Sequence, residues 1–122
     1  MRKTILIVED EIVLQDVYKL VLSLKGYEVH TANNGVEGLI KAKETKPDMI
    51  LLDLFMPVMD GREFLRNIDN ELYPDTKIVV YTNHSDGDIQ EEMLGLGAYK
   101  YVLKSSMSPQ DLLAMTAEVI NS

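Results

Sequence analysis

Met49-Ile-Leu-Leu-Asp53-Leu-Phe-Met-Pro57-Val-Met-Asp-Gly61 is the stretch on which the reading of this chain turns. Its apolar opening is short, unbroken by polar residues, and bounded by Pro47-Asp48 before it and Pro57 after it. Such a run reads as a strand buried on both faces, the kind found in parallel sheets. Asp53 then stands at the strand's carboxyl end, where open α/β sheets place their sites.

Working outward, Thr4 to Val8 is a β-rich run that stops in three acids, Glu9-Asp10-Glu11. Ile12 to Lys25 follows with Leu14, Val17, Tyr18, Val21 and Leu24 at helical spacing, and Gly26 supplies the stop. Tyr27 to Ala32 alternates as a strand, and Asn34 with Glu37 predicts a capped helix through about Glu44. Asp60 with Glu63 predicts another from Gly61 to about Asn70, which Pro74 separates from a fourth strand, Lys77 to Thr82. Asn83 to Asp88 reads as a polar loop, Ile89 to Leu94 as a weaker helix ended by Gly95 and Gly97, and Tyr99 to Leu103 as a fifth strand ending at Lys104. Ser108-Pro109-Gln110-Asp111 carries the signals of a helix start, and Leu112, Leu113, Thr116, Val119 and Ile120 share a stripe beyond it. Five strand-helix alternations predict an α/β fold: a parallel sheet with helices on both faces and right-handed crossovers.

The chain of 122 residues is expected to form one domain over 1–122, able to bury roughly two thirds of its unfolded surface. With no cysteine it has no disulfide framework, thiolate nucleophile or cysteine zinc site. The net charge of −8 disfavours nucleic acid as a direct partner. The lysines at 41, 43 and 46 are interleaved with Glu44 and read as a solvated face. No run is long enough for membrane insertion, so the cytoplasm is the expected compartment.

Four predicted strands end in chemistry: Glu9 and Asp10, Asp53, Thr82, and Lys104. Parallel strands put these ends on one rim. Two unit charges ~4 Å apart repel by about 4 kcal/mol at an effective dielectric of 20, so converging carboxylates need a cation. A hard divalent ion, most simply Mg²⁺, suits oxygen donors without sulfur or imidazole. A carboxylate beside a metal, an ammonium and a hydroxyl could hold a phosphoryl group, with Asp53 as nucleophile and Lys104 and Thr82 stabilising the phosphoryl oxygens. The competing reading of Glu9-Asp10-Glu11 is a solvated cluster favoured by a helix dipole. His30 and His84 are isolated histidines expected to face solvent, and Met56 and Met59 are expected to pack a loop.

Ile7-Val-Glu-Asp-Glu11, Asp53 to Gly61, Thr82, and Gly97-Ala with Tyr101-Val-Leu-Lys104 together resemble the receiver domain of two-component response regulators, over essentially the whole chain. The resemblance implies a flavodoxin-like doubly wound (βα)5 fold with strand order 2-1-3-4-5. It implies that Asp53 accepts a phosphoryl group from a phosphohistidine of a sensor histidine kinase or phosphotransfer protein. Mg²⁺ would be held by Asp10, Asp53 and the backbone carbonyl of Phe55, with Glu9 acting mainly through water. Thr82 and Tyr101 resemble the family's switch pair, which would reshape a face for a downstream protein partner. Such a protein is no enzyme on a separate substrate; it catalyses only its own phosphorylation and dephosphorylation. Tyr99-Lys100 stands where dimeric DNA-binding members carry an acidic pair, so a monomer or weak dimer is expected, acting as a stand-alone relay or docking module without an output domain.

The chain departs from the family pattern in three places. Ser105 follows Lys104 where a cis proline is usual, and a cis bond there would cost roughly 3 kcal/mol. Asn83 is larger than the usual residue after the switch threonine. Phe55 replaces a polar side chain two positions after the phosphoacceptor, where it could screen water and slow autodephosphorylation. Other functions stay open. A docking module that is never phosphorylated has the same sequence signals. A haloacid-dehalogenase-type phosphatase would need an acid where Phe55 stands, and a flavodoxin-like cofactor binder would meet repulsion from Glu9-Asp10-Glu11.

Overall fold

The computed structural model describes residues 2–84 and 86–122; Met1, and Ser85 within the predicted polar loop, lie outside the described residues. Along the chain run β1 (Thr4–Val8), α1 (Ile12–Leu24), β2 (Glu28–Ala32), α2 (Gly35–Thr45), β3 (Met49–Asp53), α3 (Gly61–Asn67), β4 (Lys77–Thr82), α4 (Gly87–Gly95), β5 (Lys100–Leu103) and α5 (Pro109–Ile120). The strands form one parallel sheet in the order β2-β1-β3-β4-β5. β3 lies at its centre, as its continuous apolar run requires.

Side chains alternate across a strand, so each central strand feeds two cores. Leu6, Val8, Ile50, Leu52, Ile78 and Val80 pack with Phe64 of α3 and Met93 of α4 on one face. Ile5, Ile7, Leu51, Val79 and Tyr81 pack with Tyr18 and Leu22 of α1 and Leu112 and Val119 of α5 on the other. Each fully buried aliphatic side chain contributes roughly 1.5–3 kcal/mol of transfer free energy.

The predicted caps form. The Asn34 side chain accepts from the Glu37 N–H at 3.0 Å, that of Asp60 from the Glu63 N–H at 2.9 Å, and Ser108 and Asp111 bond reciprocally in a capping box. Gly61 is required by a close approach: a Cβ there would lie 2.8 Å from the Asp53 carbonyl oxygen and 2.9 Å from the Leu54 Cα.

The structure revises several sequence-based expectations. On α1, Leu24 is 79% exposed and Val17 42%, and the buried residues are Gln15, Tyr18 and Leu22. The rotation has a polar cause: the Gln15 side-chain amide donates to the carbonyls of Glu9 at 2.8 Å and Ala32 at 3.3 Å, joining the ends of β1 and β2. α3 stops at Asn67, whose side chain donates to the Glu63 carbonyl at 2.7 Å while Ile68 turns extended. α4 begins at Gly87, earlier than its apolar period suggests, because the Asp86 carboxylate caps it at 2.8 Å from the Asp88 N–H. β5 starts at Lys100, leaving Tyr99 half in solvent. The Lys104–Ser105 bond is trans, as are the other described peptide bonds. His30 is not free in solvent: its Nε2 lies 3.0 Å from a Glu28 carboxylate oxygen and the residue is half-buried. Met56 and Met59 pack against the core, as expected of loop methionines.

Candidate functional site

The carboxyl ends of β1, β3, β4 and β5 converge on a cleft of ≈ 210 Å³ bordered by Asp10, Asp53, Phe55, Thr82, His84 and Lys104. Glu9, Asp10 and Asp53 each bring a carboxylate oxygen to within 4.8 Å of the others. Asp10 is exposed, Glu9 is 0% exposed and Asp53 4%. The Lys104 ammonium bridges the buried pair, 2.9 Å from Glu9 Oε1 and 3.2 Å from Asp53 Oδ1.

This cluster has too much negative charge for its burial. Desolvation, and then the neighbouring Glu9 charge, push the Asp53 carboxyl up to about 8, and Lys104 only partly opposes the rise. Burial acts to raise Glu9 as well, but hydrogen bonds from Tyr81, Lys104 and the Glu11 N–H outweigh it and hold Glu9 below the usual range. Burial acts to lower Lys104, and its two carboxylate partners reverse the sign. The two carboxylates therefore differ: Glu9 is a satisfied anion, whereas Asp53, short of a counter-charge, keeps its proton up to about 8. Oxygen donors alone, with a residual deficit of positive charge, suit a hard divalent cation.

Thr82 is buried at the end of β4, and its Oγ1 accepts from the His84 N–H at 3.3 Å. Tyr101 on β5 is half-buried and donates its hydroxyl to the His84 carbonyl at 2.7 Å. The backbone of His84 thus links Thr82 to Tyr101. The His84 ring leans on Phe55, which is 45% exposed, with centroids 4.5 Å apart. Every residue that the sequence placed at the rim is in this neighbourhood.

Sequence reading missed Tyr81. It faces the α1 and α5 layer, fully buried, and donates to Glu9 Oε1 at 2.7 Å. A signal was available: a tyrosine in the run Ile78-Val-Val-Tyr81 needs a partner for its hydroxyl, and the acids at the end of β1 are the near candidates.

A fold of this topology with acids, a hydroxyl and a lysine at one rim defines a class, the phosphorylation-dependent receiver. The chain belongs to the response regulator receiver domain family, whose model matches residues 5–117. It is 37% identical over 102 residues to the probable C4-dicarboxylate response regulator DctR of Halalkalibacterium halodurans, covering 82% of this chain and 44% of that protein. It is 34% identical over 119 residues to the phosphate regulon transcriptional regulatory protein PhoB of Pseudomonas aeruginosa, covering 97% of this chain and 52% of that one. The chain thus spans about half the length of these curated relatives. The chemotaxis protein CheY4 of Vibrio cholerae superposes with a TM-score of 0.90 at 32% identity, covering 98% of this chain and 99% of that one. A CheY-like receiver domain of Methanospirillum hungatei gives 0.91 at 32% identity, covering 99% and 95%. Phosphorylation-based two-component signalling is the function of this family, and its members are signalling modules, distinct from enzymes of metabolism. Receiver domains generally bind Mg²⁺ through acidic residues, and here the acidic cluster is Glu9, Asp10 and Asp53. No helix among the described residues is long and apolar enough to cross a membrane.

Proposed function

We infer that Asp53 is the phosphoacceptor, that it takes its phosphoryl group from a phosphohistidine of a sensor kinase or phosphotransfer protein, and that Asp10 and Asp53 with the Phe55 carbonyl hold Mg²⁺. The observation that carries this is the placement of Lys104 Nζ 3.2 Å from Asp53 Oδ1 in a cleft where three carboxylates meet. An Asp53 oxygen attacks phosphorus, the P–N bond breaks, and the imidazole leaves with the bonding electrons. Lys104 meets charge developing on the phosphoryl oxygens, and Thr82 offers its hydroxyl to one of them. The cation, when bound, neutralises phosphoryl charge and keeps Asp53 ionised.

The switch is Thr82 with Tyr101. A phosphoryl group that draws the Thr82 hydroxyl competes with the His84 N–H now bonded to it, and His84 is also where Tyr101 is anchored. Motion at one end therefore loosens the other, which is the bistable coupling a switch needs. The output is a downstream protein that reads the face around α4, β5 and α5, with the chain a monomer or weak dimer that does not itself contact nucleic acid. The cytoplasm is the compartment this phosphodonor implies, and residues 1–122 make up one receiver domain.

Incubation with acetyl phosphate and Mg²⁺ followed by intact mass tests the reading. One added phosphoryl group, absent in Asp53→Ala and without Mg²⁺, is expected. An unchanged mass leaves the docking module that is never phosphorylated.

A further inference from the structure

Lys104 serves two carboxylates, and what divides it between them is a third group. Glu9 lies wholly out of solvent, so its charge must be met by protein donors. Its Oε2 accepts from the Glu11 N–H at 3.1 Å, while Oε1 receives the Tyr81 hydroxyl at 2.7 Å and the Lys104 ammonium at 2.9 Å. Tyr81 is packed in on all sides: it is the largest fully buried side chain among the described residues, its ring is tilted against Tyr18 at 5.9 Å, and the Lys104 ammonium sits 4.9 Å from its centroid. It is also the register partner of Asp53 across β3 and β4, so it stands beside the reacting strand end.

We propose that Tyr81 is a positioning residue for phosphoryl transfer: its hydroxyl satisfies and orients Glu9 so that Lys104 is left available to the phosphoryl group on Asp53. Without that hydroxyl, Glu9 Oε1 has one donor fewer and Lys104 becomes the one donor left to it. A buried carboxylate with a single strong partner holds it more tightly than one with two. The ammonium then shifts toward Glu9 and away from Asp53, although every proposed metal ligand and the acceptor itself remain in place. The inference rests on Asp53 being the phosphoacceptor.

Tyr81→Phe, Glu9→Gln and the double variant test it, each measured for Mg²⁺ affinity, thermal midpoint without Mg²⁺, and rate of phosphorylation by acetyl phosphate at saturating Mg²⁺. Tyr81→Phe is expected to slow phosphorylation about tenfold, a partial loss of one electrostatic donor, while Mg²⁺ affinity moves less than about threefold. The double variant is expected to be no slower than Glu9→Gln alone, since Tyr81 acts through Glu9. A Tyr81→Phe rate equal to wild type overturns the proposal even if the midpoint falls, because Tyr81 is then packing only. Slowdowns that multiply in the double variant overturn it too. Should the wild type take up no phosphoryl group, the phosphoacceptor reading fails separately, and the metal-free midpoints decide whether Tyr81 acts through Glu9: non-additive losses support it and additive losses overturn it.

Discussion

The rings of Phe55 and His84 meet with centroids 4.5 Å apart and planes tilted by 59°, closing one wall of the cleft that holds Asp53. A polar side chain at position 55 could orient water for attack on an acyl phosphate; the Phe55 ring has no group that can, and it lines the cleft. Phe55→Asn is therefore expected to shorten the phosphoryl half-life by roughly threefold to tenfold. Half-lives of the two phosphorylated proteins, followed by intact mass, check this, and an equal or longer half-life in the variant refutes it.

Asp53 is held up at about 8 in the metal-free protein, against an ordinary value of 3.8. A raised carboxyl pKa means that the folded state binds the proton more tightly than the unfolded chain does, so this group's stabilisation is lost as pH rises between those values. Mg²⁺ has to displace the same proton, so its apparent affinity is expected to climb with pH up to about 8 and then level off. Calorimetric titration in buffers of different ionisation enthalpy will reveal proton release near neutral pH. Affinity independent of pH between 6 and 8 contradicts a shifted Asp53.

Val58 sits at φ 70 in the loop after β3 and is 76% exposed. A β-branched residue in the left-handed region is an outlier, at roughly 1–2 kcal/mol. Asparagine tolerates that backbone and keeps a side chain, whereas glycine would return part of the gain as unfolded-state entropy. Val58→Asn is expected to stabilise the domain by about 1 kcal/mol in urea unfolding, with the m-value unchanged. A variant no more stable than wild type shows that the loop conformation is not strained.

Gly61→Ala makes the opposite case. Its Cβ would meet backbone, the Asp53 carbonyl at 2.8 Å and the Leu54 Cα at 2.9 Å, and neither can move without carrying the strand end along. A loss of about 2 kcal/mol or more is expected from this overpacking, together with slower phosphorylation of the displaced Asp53. A stable variant with a normal rate would show that α3 slides freely away from β3.

Thr116 Oγ1 on α5 is buried without a hydrogen-bond partner among the described residues. Replacing the hydroxyl by a methyl of nearly the same shape removes a desolvation cost and leaves the packing intact. Thr116→Val is expected to raise stability by about 1 kcal/mol, read as a higher thermal midpoint. A lower midpoint would imply that an ordered water serves the hydroxyl.

Local sequence determined the alternation of strands and helices, the caps at Asn34, Asp60 and Ser108, and the rim that gathers Glu9, Asp10, Asp53, Thr82 and Lys104. Each follows from periodicity, short-range hydrogen bonding or the polarity of parallel strands, all of which neighbouring residues encode. Tertiary structure alone decided how α1 is rotated, which carboxylate is satisfied and which is left wanting charge, and that Tyr81 holds Glu9. The last two outcomes join groups separated by 72 residues, as in Tyr81 and Glu9, or by 95, as in Lys104 and Glu9. Burial sets their energies, and burial exists only once the two layers of helices have closed on the sheet.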